Sequence, residues 1–199
     1  MGDPRNPATT KQRLFWSCWL LASVTTGLVA GFMLGHALIL GRFLEWMLAT
    51  NPRQFAATYP TFASSVGVPG LWIFYAICGV QVVAALALLA LSLGARRHRL
   101  AAGVAASAAV LWLMVHYGSG FGAVEAVVLR STTPVSPEFA DRFQALSTPV
   151  HLAHASLLLV GLGALLAIPL GAGSSLDSGS ARGRRTPTVG PRDDPTGAQ

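Results

Sequence analysis

Long apolar stretches alternate with short polar ones along the whole chain. Charged residues are absent from residues 14–41, 54–95, 100–124 and 149–170. Each of these stretches can supply the roughly 20 residues that a helix needs to cross a hydrocarbon core of about 30 Å. The pattern therefore predicts an all-α, four-helix transmembrane bundle. The four helices are expected at about 14–44, 70–94, 99–122 and 148–170.

The flanks of these stretches differ in composition and define the domain organisation. A polar lead over residues 1–12 and a Gly-, Ser-, Pro- and Arg-rich tail over 172–199 enclose a membrane domain at 13–171. The composition of the tail predicts disorder. The first apolar run is about twice as long as the hydrophobic region of a signal peptide, so we expect a retained helix. A short interfacial helix is expected at about 53–66.

The distribution of charge predicts the orientation of the bundle. Hydrophobic residues make up 52% of the chain and charged residues 11%, which excludes an ordinary soluble domain. If the helices alternate, ten of the 14 basic residues fall on one side, namely Arg5, Lys11, Arg13, Arg96, Arg97, Arg99, Arg182, Arg184, Arg185 and Arg192. The positive-inside rule then places both termini in the cytoplasm.

The net charge of +6 follows from this topology. Basic residues at a membrane surface attract anionic lipid headgroups, so the lipid bilayer is the expected partner and nucleic acid is not. We expect a multi-pass protein of a bacterial-type plasma membrane. Nothing in the sequence defines an oligomeric state.

Four of the five histidines lie in or beside apolar segments: His36, His116, His151 and His154. At a rise of about 1.5 Å per residue, His116 and His154 each lie about 24 Å from the cytoplasmic boundary. His151 lies one turn further out, and His36 lies at about 33 Å. Ionisable residues are costly in a membrane and usually mark a site. The sequence therefore predicts one histidine-lined pocket near the outer face.

Several kinds of cofactor suit these histidines. His151 and His154 share one helix face and, with His116 or His36, can make a three-histidine zinc or copper site. His116 with His154 or His36 can also provide the axial ligands of a haem. No motif requires a haem or a transition metal, so the cofactor stays unknown. The structural alternative is that each histidine hydrogen-bonds a neighbouring helix or interfacial water.

A carboxylate can complete a different kind of site. Two histidines with Glu125 or Glu45 can make a two-His-one-carboxylate iron site. Glu45 is nine residues from His36, and Glu125 is nine from His116. In a continuous helix that spacing is about half a turn off the same face, so geometry disfavours this site. Too few acidic residues are present for a four-carboxylate di-iron bundle.

A glycine-rich segment follows His116. Gly118, Gly120 and Gly122 loosen the end of the helix and allow a ligand to approach. Ion pairs are expected at the rim between Arg42 and Glu45 and between Arg130 and Glu125. The candidate catalytic residues are His116 and His154, and the candidate substrate-binding residues are His36, His151, Tyr117 and Glu125.

The first helix carries Gly27, Gly31 and Gly35 at a spacing of four, which predicts close helix packing within the monomer. The order of features along the chain is distinctive. It consists of the segment TGLVAGFMLGHALILGRFLEW at 26–46, a long first outer loop, a basic turn and a His-rich last helix. Over about residues 14–170, this layout resembles the anthrone oxygenase-like family of small four-helix membrane proteins. The resemblance implies oxidation of a substrate by molecular oxygen.

Two classes of function remain open at this stage. One is an oxygenase-like oxidoreductase that acts on a lipophilic small molecule at the histidine-lined pocket. The other is a non-enzymatic membrane protein, for binding, assembly or transport, whose histidines are structural. A proton- or metal-conducting path is disfavoured, because the inner half offers only Gln81 and Ser107 as notable polar groups.

Overall fold

The computed structural model describes residues 7–94 and 96–180, and these are arranged as helices with no strand among them. The elements are α1 (Pro7–Gly35), a π-helical turn (His36–Leu40), α2 (Gly41–Thr50), α3 (Pro52–Phe62), a second π-helical turn (Ala63–Gly67), α4 (Val68–Ser92), α5 (Arg96–Gly118), α6 (Phe121–Arg130) and α7 (Pro137–Ser180). Residues 1–6 of the expected lead and 181–199 of the expected tail lie outside the described residues.

Four helical segments are long and apolar enough to cross a membrane. They are Thr10–Thr50, Trp72–Ser92, His98–Gly118 and Pro137–Leu170. The predicted all-α architecture with four spans is therefore confirmed, and the chain is an integral membrane protein. The bundle belongs to a compact unit that ends at Ile168, and a second unit begins at Pro169. Residues 169–180 of that second unit are helical.

The first and last spans are longer than the apolar pattern predicts. The last helix begins at Pro137, eleven residues before 148, because residues 137–149 have helical spacing of their own. Phe143 from this segment is fully buried and packs with Leu44, Phe55 and Phe121. The helix expected at 53–66 is also present, as α3 with the π-helical turn that follows it.

The bundle has two chemically different ends. At one end, which we call the basic end, the ring of Phe15 in α1 lies 5.4 Å from that of His98 in α5. Lys11 and Arg13 of α1 and Arg99 of α5 lie close to these two residues in sequence. The opposite end carries the other four histidines and is called the histidine end.

The core between the two ends is built on small residues. Near the basic end Ala22, Leu88 and Ala102 pack with Leu165. The indole N–H of Trp19 donates to the Leu165 carbonyl over 2.8 Å, which ties α1 to α7. In a membrane, small side chains let helix backbones approach closely, and van der Waals contact then stabilises the bundle.

Among the described glycines of the membrane spans, the closest approach to another span is not at the predicted stripe. A Cβ on Gly27 would lie 3.8 Å from Leu162, but one on Gly31 or Gly35 would meet nothing within 4 Å. The predicted close packing is therefore wrong for Gly31 and Gly35 in the described chain. A Cβ on Gly161 would instead lie 3.0 Å from the Cβ of Ala108. The close helix packing at a glycine is therefore between α5 and α7.

We predict that Gly161→Leu destabilises the bundle and that Gly163→Leu does not. Gly163 lies two residues away on α7, and a Cβ there would meet nothing within 4 Å. Overpacking at Gly161 should cost about 1–3 kcal/mol. Thermal unfolding followed by circular dichroism in one detergent measures the difference. Equal midpoints for the two variants would show that α5 and α7 do not pack as described.

Candidate functional site

The four histidines of the histidine end form one continuous chain of rings. The rings of His36 and His151 are stacked, with centroids 3.8 Å apart. His154 follows at 5.8 Å from His151, and His116 lies 5.7 Å from His154. The structure thus brings together side chains from the first π-helical turn, α5 and α7. His36, His151 and His154 are buried, and His116 is half-buried.

The first π-helical turn determines the position of His36. The Gly41 N–H donates to the carbonyl of His36, five residues earlier, which is the hydrogen bond of a π-helix. A Cβ on Gly41 would lie 2.8 Å from that carbonyl oxygen and 2.9 Å from Nδ1 of the His36 ring. Only glycine leaves room for both. Single π-helical turns inside α-helices are frequent at functional sites.

The glycine-rich segment after His116 breaks the helix and turns the chain. α5 ends at Gly118, and Gly120 has a φ of 74°, in the left-handed region that favours glycine. The Phe121 N–H donates to the Ser119 hydroxyl over 3.2 Å as α6 begins. A Cβ on Gly122 would lie 2.8 Å from Nε2 of His116, so α6 packs directly on that ring. α5 and α6 are therefore two helices and not one.

The turn of the chain at Gly120 brings the Glu125 carboxylate close to two of the histidines. Glu125, His36 and His151 each offer a ligand atom, and these atoms all lie within 4.8 Å of one another. The expectation that geometry disfavours a two-His-one-carboxylate group is wrong for Glu125. It assumed a continuous helix from His116, whereas the chain turns at Gly120 and the carboxylate approaches histidines of other elements.

The Glu125 side chain is half-buried. Burial raises its pKa to about 7, because desolvation penalises the charged form. The pKa of Tyr59 is also raised, first by burial and then by the nearby Glu125. The expected ion pair between Arg130 and Glu125 is not among the ion pairs of the described residues. Among the described residues, the carboxyl thus has no cationic side chain as an ion-pair partner.

Hydrogen bonding divides the histidines into two kinds. His151 Nδ1 lies 2.7 Å from the Ser147 carbonyl and must carry the proton to donate to it. In this tautomer Nε2 of His151 carries no proton, and its lone pair is available to a ligand. His36 Nδ1 and both ring nitrogens of His154 are buried without a hydrogen-bond partner among the described residues. Ser147 lies on the same helix as His151, so among the described residues none of these four ring nitrogens has the hydrogen bond to a neighbouring helix that the structural alternative expects.

Glu45 has a different role from Glu125. Its Oε2 pairs with Arg42 over 2.9 Å, which confirms that predicted ion pair. Its Oε1 accepts a hydrogen bond from the Thr148 hydroxyl over 2.9 Å. Both oxygens are engaged, so Glu45 ties α2 to α7 one turn before His151 and is not a ligand candidate.

A buried polar network continues below the rings. The ring of Trp112 lies 5.5 Å from that of His154, and its indole N–H donates to Gln81 over 3.4 Å. The Gln81 amide donates in turn to the Thr26 hydroxyl over 3.3 Å. The network links α1, α4 and α5 beneath the cluster and restricts the position of His154.

A cavity of about 990 Å³ lies beside the cluster, close to the upper end of the size range of small-molecule pockets. Three of the candidate residues line it, namely His116, Tyr117 and Glu125, whereas His36, His151 and His154 do not. Its aromatic lining includes Tyr59, Trp72 and Tyr75. None of these three was among the candidate residues. The density of aromatic residues over 55–75 is the signal that could have indicated them.

No protein-family model matches the chain, and no curated protein or solved structure matches it either. The resemblance to the anthrone oxygenase-like family consequently stays a prediction. Fold and site together define a class: a helical integral membrane protein with a buried cluster of histidines and one carboxylate beside an aromatic cavity.

We predict that Gly122→Ala displaces the His116 ring, because the new methyl group would lie 2.8 Å from its Nε2. The control is Gly118→Ala, where a Cβ meets nothing within 4 Å. NMR of the histidine side chains in labelled protein reports the ring, and thermal unfolding reports the fold. A His116 signal that is the same in both variants would contradict the packing of α6 on this ring.

Proposed function

We propose that this protein is a metal-dependent membrane oxidoreductase that uses molecular oxygen on a lipophilic substrate. The single observation that carries the proposal is the convergence of His36, His151 and Glu125, whose ligand atoms lie within 4.8 Å of one another. Iron(II) is the first candidate metal, since two imidazoles and one carboxylate leave coordination positions open for oxygen and substrate.

Metal binding at this group requires a small local movement. Bonds of about 2.0–2.2 Å to one ion bring neighbouring ligand atoms to about 3 Å of one another. The three side chains must therefore close from the separations of up to 4.8 Å that they have here, and the stacked rings of His36 and His151 must part. A divalent cation compensates the buried charge of the Glu125 carboxylate, and the Ser147 carbonyl already orients His151 for coordination through Nε2.

The aromatic cavity is the proposed binding site of the substrate. Its aromatic lining suits a lipophilic molecule, and Glu125 lies on its wall, so a molecule in the cavity is adjacent to the proposed metal. His116 is on the same wall and is positioned to take a proton from a substrate. His154 contacts the rings of both His116 and His151, and so connects the wall with the ligands.

A balanced reaction of this kind needs no further reductant. An activated methylene group loses both C–H bonds and becomes a ketone, and four electrons pass from carbon to oxygen. One atom of O₂ becomes the carbonyl oxygen, and the other leaves as water with the two hydrogens. The resemblance to the anthrone oxygenase-like family supports this class of reaction. With both termini in the cytoplasm of a bacterial-type plasma membrane, the substrate would enter from the outer leaflet.

We expect the purified protein to bind one iron per chain, and His36→Ala, His151→Ala and Glu125→Gln each to abolish this binding. Removal of a ligand leaves too few donors for a stable site. Anaerobic iron(II) titration with elemental analysis measures it. Glu138→Gln and His98→Ala are the matched controls and should retain the metal, because neither side chain belongs to the group and Glu138 is exposed.

Two results would contradict the metal centre. One is a protein that binds no iron, copper or zinc while remaining folded. The other is loss of metal in the control variants to the same extent as in the ligand variants. Either result would favour the non-enzymatic alternative, in which the histidines are structural.

Activity is tested with anthrone as the probe, since it has an activated methylene and its product absorbs light. We expect His116→Gln to slow oxygen-dependent turnover by about 100-fold or more while metal binding is unchanged, as for loss of a general base. Loss of the metal in this variant would instead make His116 a ligand. Unchanged turnover would remove its proposed role.

A further inference from the structure

A second cavity, of about 1150 Å³, is lined by none of the clustered histidines. It is a groove between α5 and α7 that the end of α4 borders. Its lining combines small residues, namely Gly103, Ser107, Ala108, Ala153 and Ser156, with large apolar ones on either side. Ser107 and Ser156 are exposed, so the groove opens to the surroundings of the bundle.

The length of the groove suits one leaflet of a membrane. Its lining on α5 runs from Arg99 and Leu100 to Leu111. The eleven residue steps from Leu100 to Leu111 rise roughly 16 Å, about half of a hydrocarbon core of about 30 Å. Leu93 and Leu100 border it with exposed side chains. An apolar chain lying in the groove would therefore extend from the membrane boundary to about the middle of the bilayer.

Among the described residues, charge lines the groove only at the basic end of the bundle. Arg99 is the one charged residue of the described lining, and its side chain is exposed. It takes part in no ion pair among the described residues. A guanidinium group presents several N–H donors that suit phosphate oxygens. The same end of the bundle also carries Lys11 and Arg13.

We propose that this groove binds an anionic phospholipid, with an acyl chain between α5 and α7 and the phosphate at Arg99. The proposal is independent of the metal centre, since the two sites share no residue. A second copy of the chain fits less well as the occupant. In a two-fold dimer across this face the Arg99 side chains of both copies would approach one another and repel.

Native mass spectrometry with phosphatidylglycerol and phosphatidylcholine tests the proposal on the full chain. Phosphatidylglycerol should bind about fivefold more tightly, the preference expected for one basic residue at a membrane surface. Arg99→Gln should remove that preference and keep the binding of both lipids. Arg13→Gln is the matched control, because it removes the same charge at the same end without lining the groove, and it should leave the preference intact.

The apolar part of the groove is tested separately. Ser107→Phe fills it from α5 and should weaken binding of both lipids by roughly tenfold. Met114→Phe adds a ring to an exposed position of the same helix outside the groove and should have no effect. Ser156→Phe fills the groove from α7 and serves if the first variant does not fold.

Three results would overturn the proposal. They are equal affinity for the two lipids in the wild-type protein, equal effects of Arg99→Gln and Arg13→Gln, and undiminished lipid binding in the groove-filling variants. Conversion of a dimer into a monomer by Ser107→Phe would identify a second copy as the occupant and would overturn it as well.

Discussion

Backbone hydrogen bonding inside a membrane is the constraint on which the histidine cluster depends. Lipid offers no donors or acceptors, so a spanning segment must satisfy its own amides even where it departs from regular helix. At His36 the chain does so with a π-helical turn, in which the Gly41 N–H still reaches a carbonyl. After Gly118 it does so with a left-handed glycine and the Ser119 hydroxyl. Both departures redirect a side chain while the amides of Gly41 and Phe121 keep a hydrogen-bond partner.

The two departures are supported by packing that is specific to each. Glycine at 41 and at 122 leaves room for the rings of His36 and His116, which any Cβ would meet at about 2.8–2.9 Å. Glu45 then connects α2 with α7 through Thr148, close to His151. This hydrogen bond joins α7, which carries His151, to α2, which directly follows the π-helical turn of His36, and so helps to hold these two rings near one another.

The fold was largely predictable, and the site only in part. Apolar length alone predicts four spans, and helix rise predicts that the four histidines share one end of the bundle. The position of Glu125 could not be obtained in this way. Glu125 is nine residues from His116, and this count gives its position only if the helix is continuous. The glycine-rich segment indicates a weak point in the helix, but the sequence does not show in which direction the chain turns there. The predicted close packing at Gly31 and Gly35 is wrong for a similar reason, because the spacing of glycines does not show whether a neighbouring helix faces them.

The polar network beneath the rings bears on whether the cluster belongs to a conduction path. Below His154 it continues through Trp112, Gln81 and Thr26, which hydrogen-bond but do not titrate near neutral pH. Indole has a donor and no acceptor, so it cannot pass a proton onward. In the described part of the chain the titratable groups of the cluster therefore stop at His154. In the proposed function, protons and substrates would therefore exchange through the histidine end, on which the aromatic cavity opens beside His116 and Glu125.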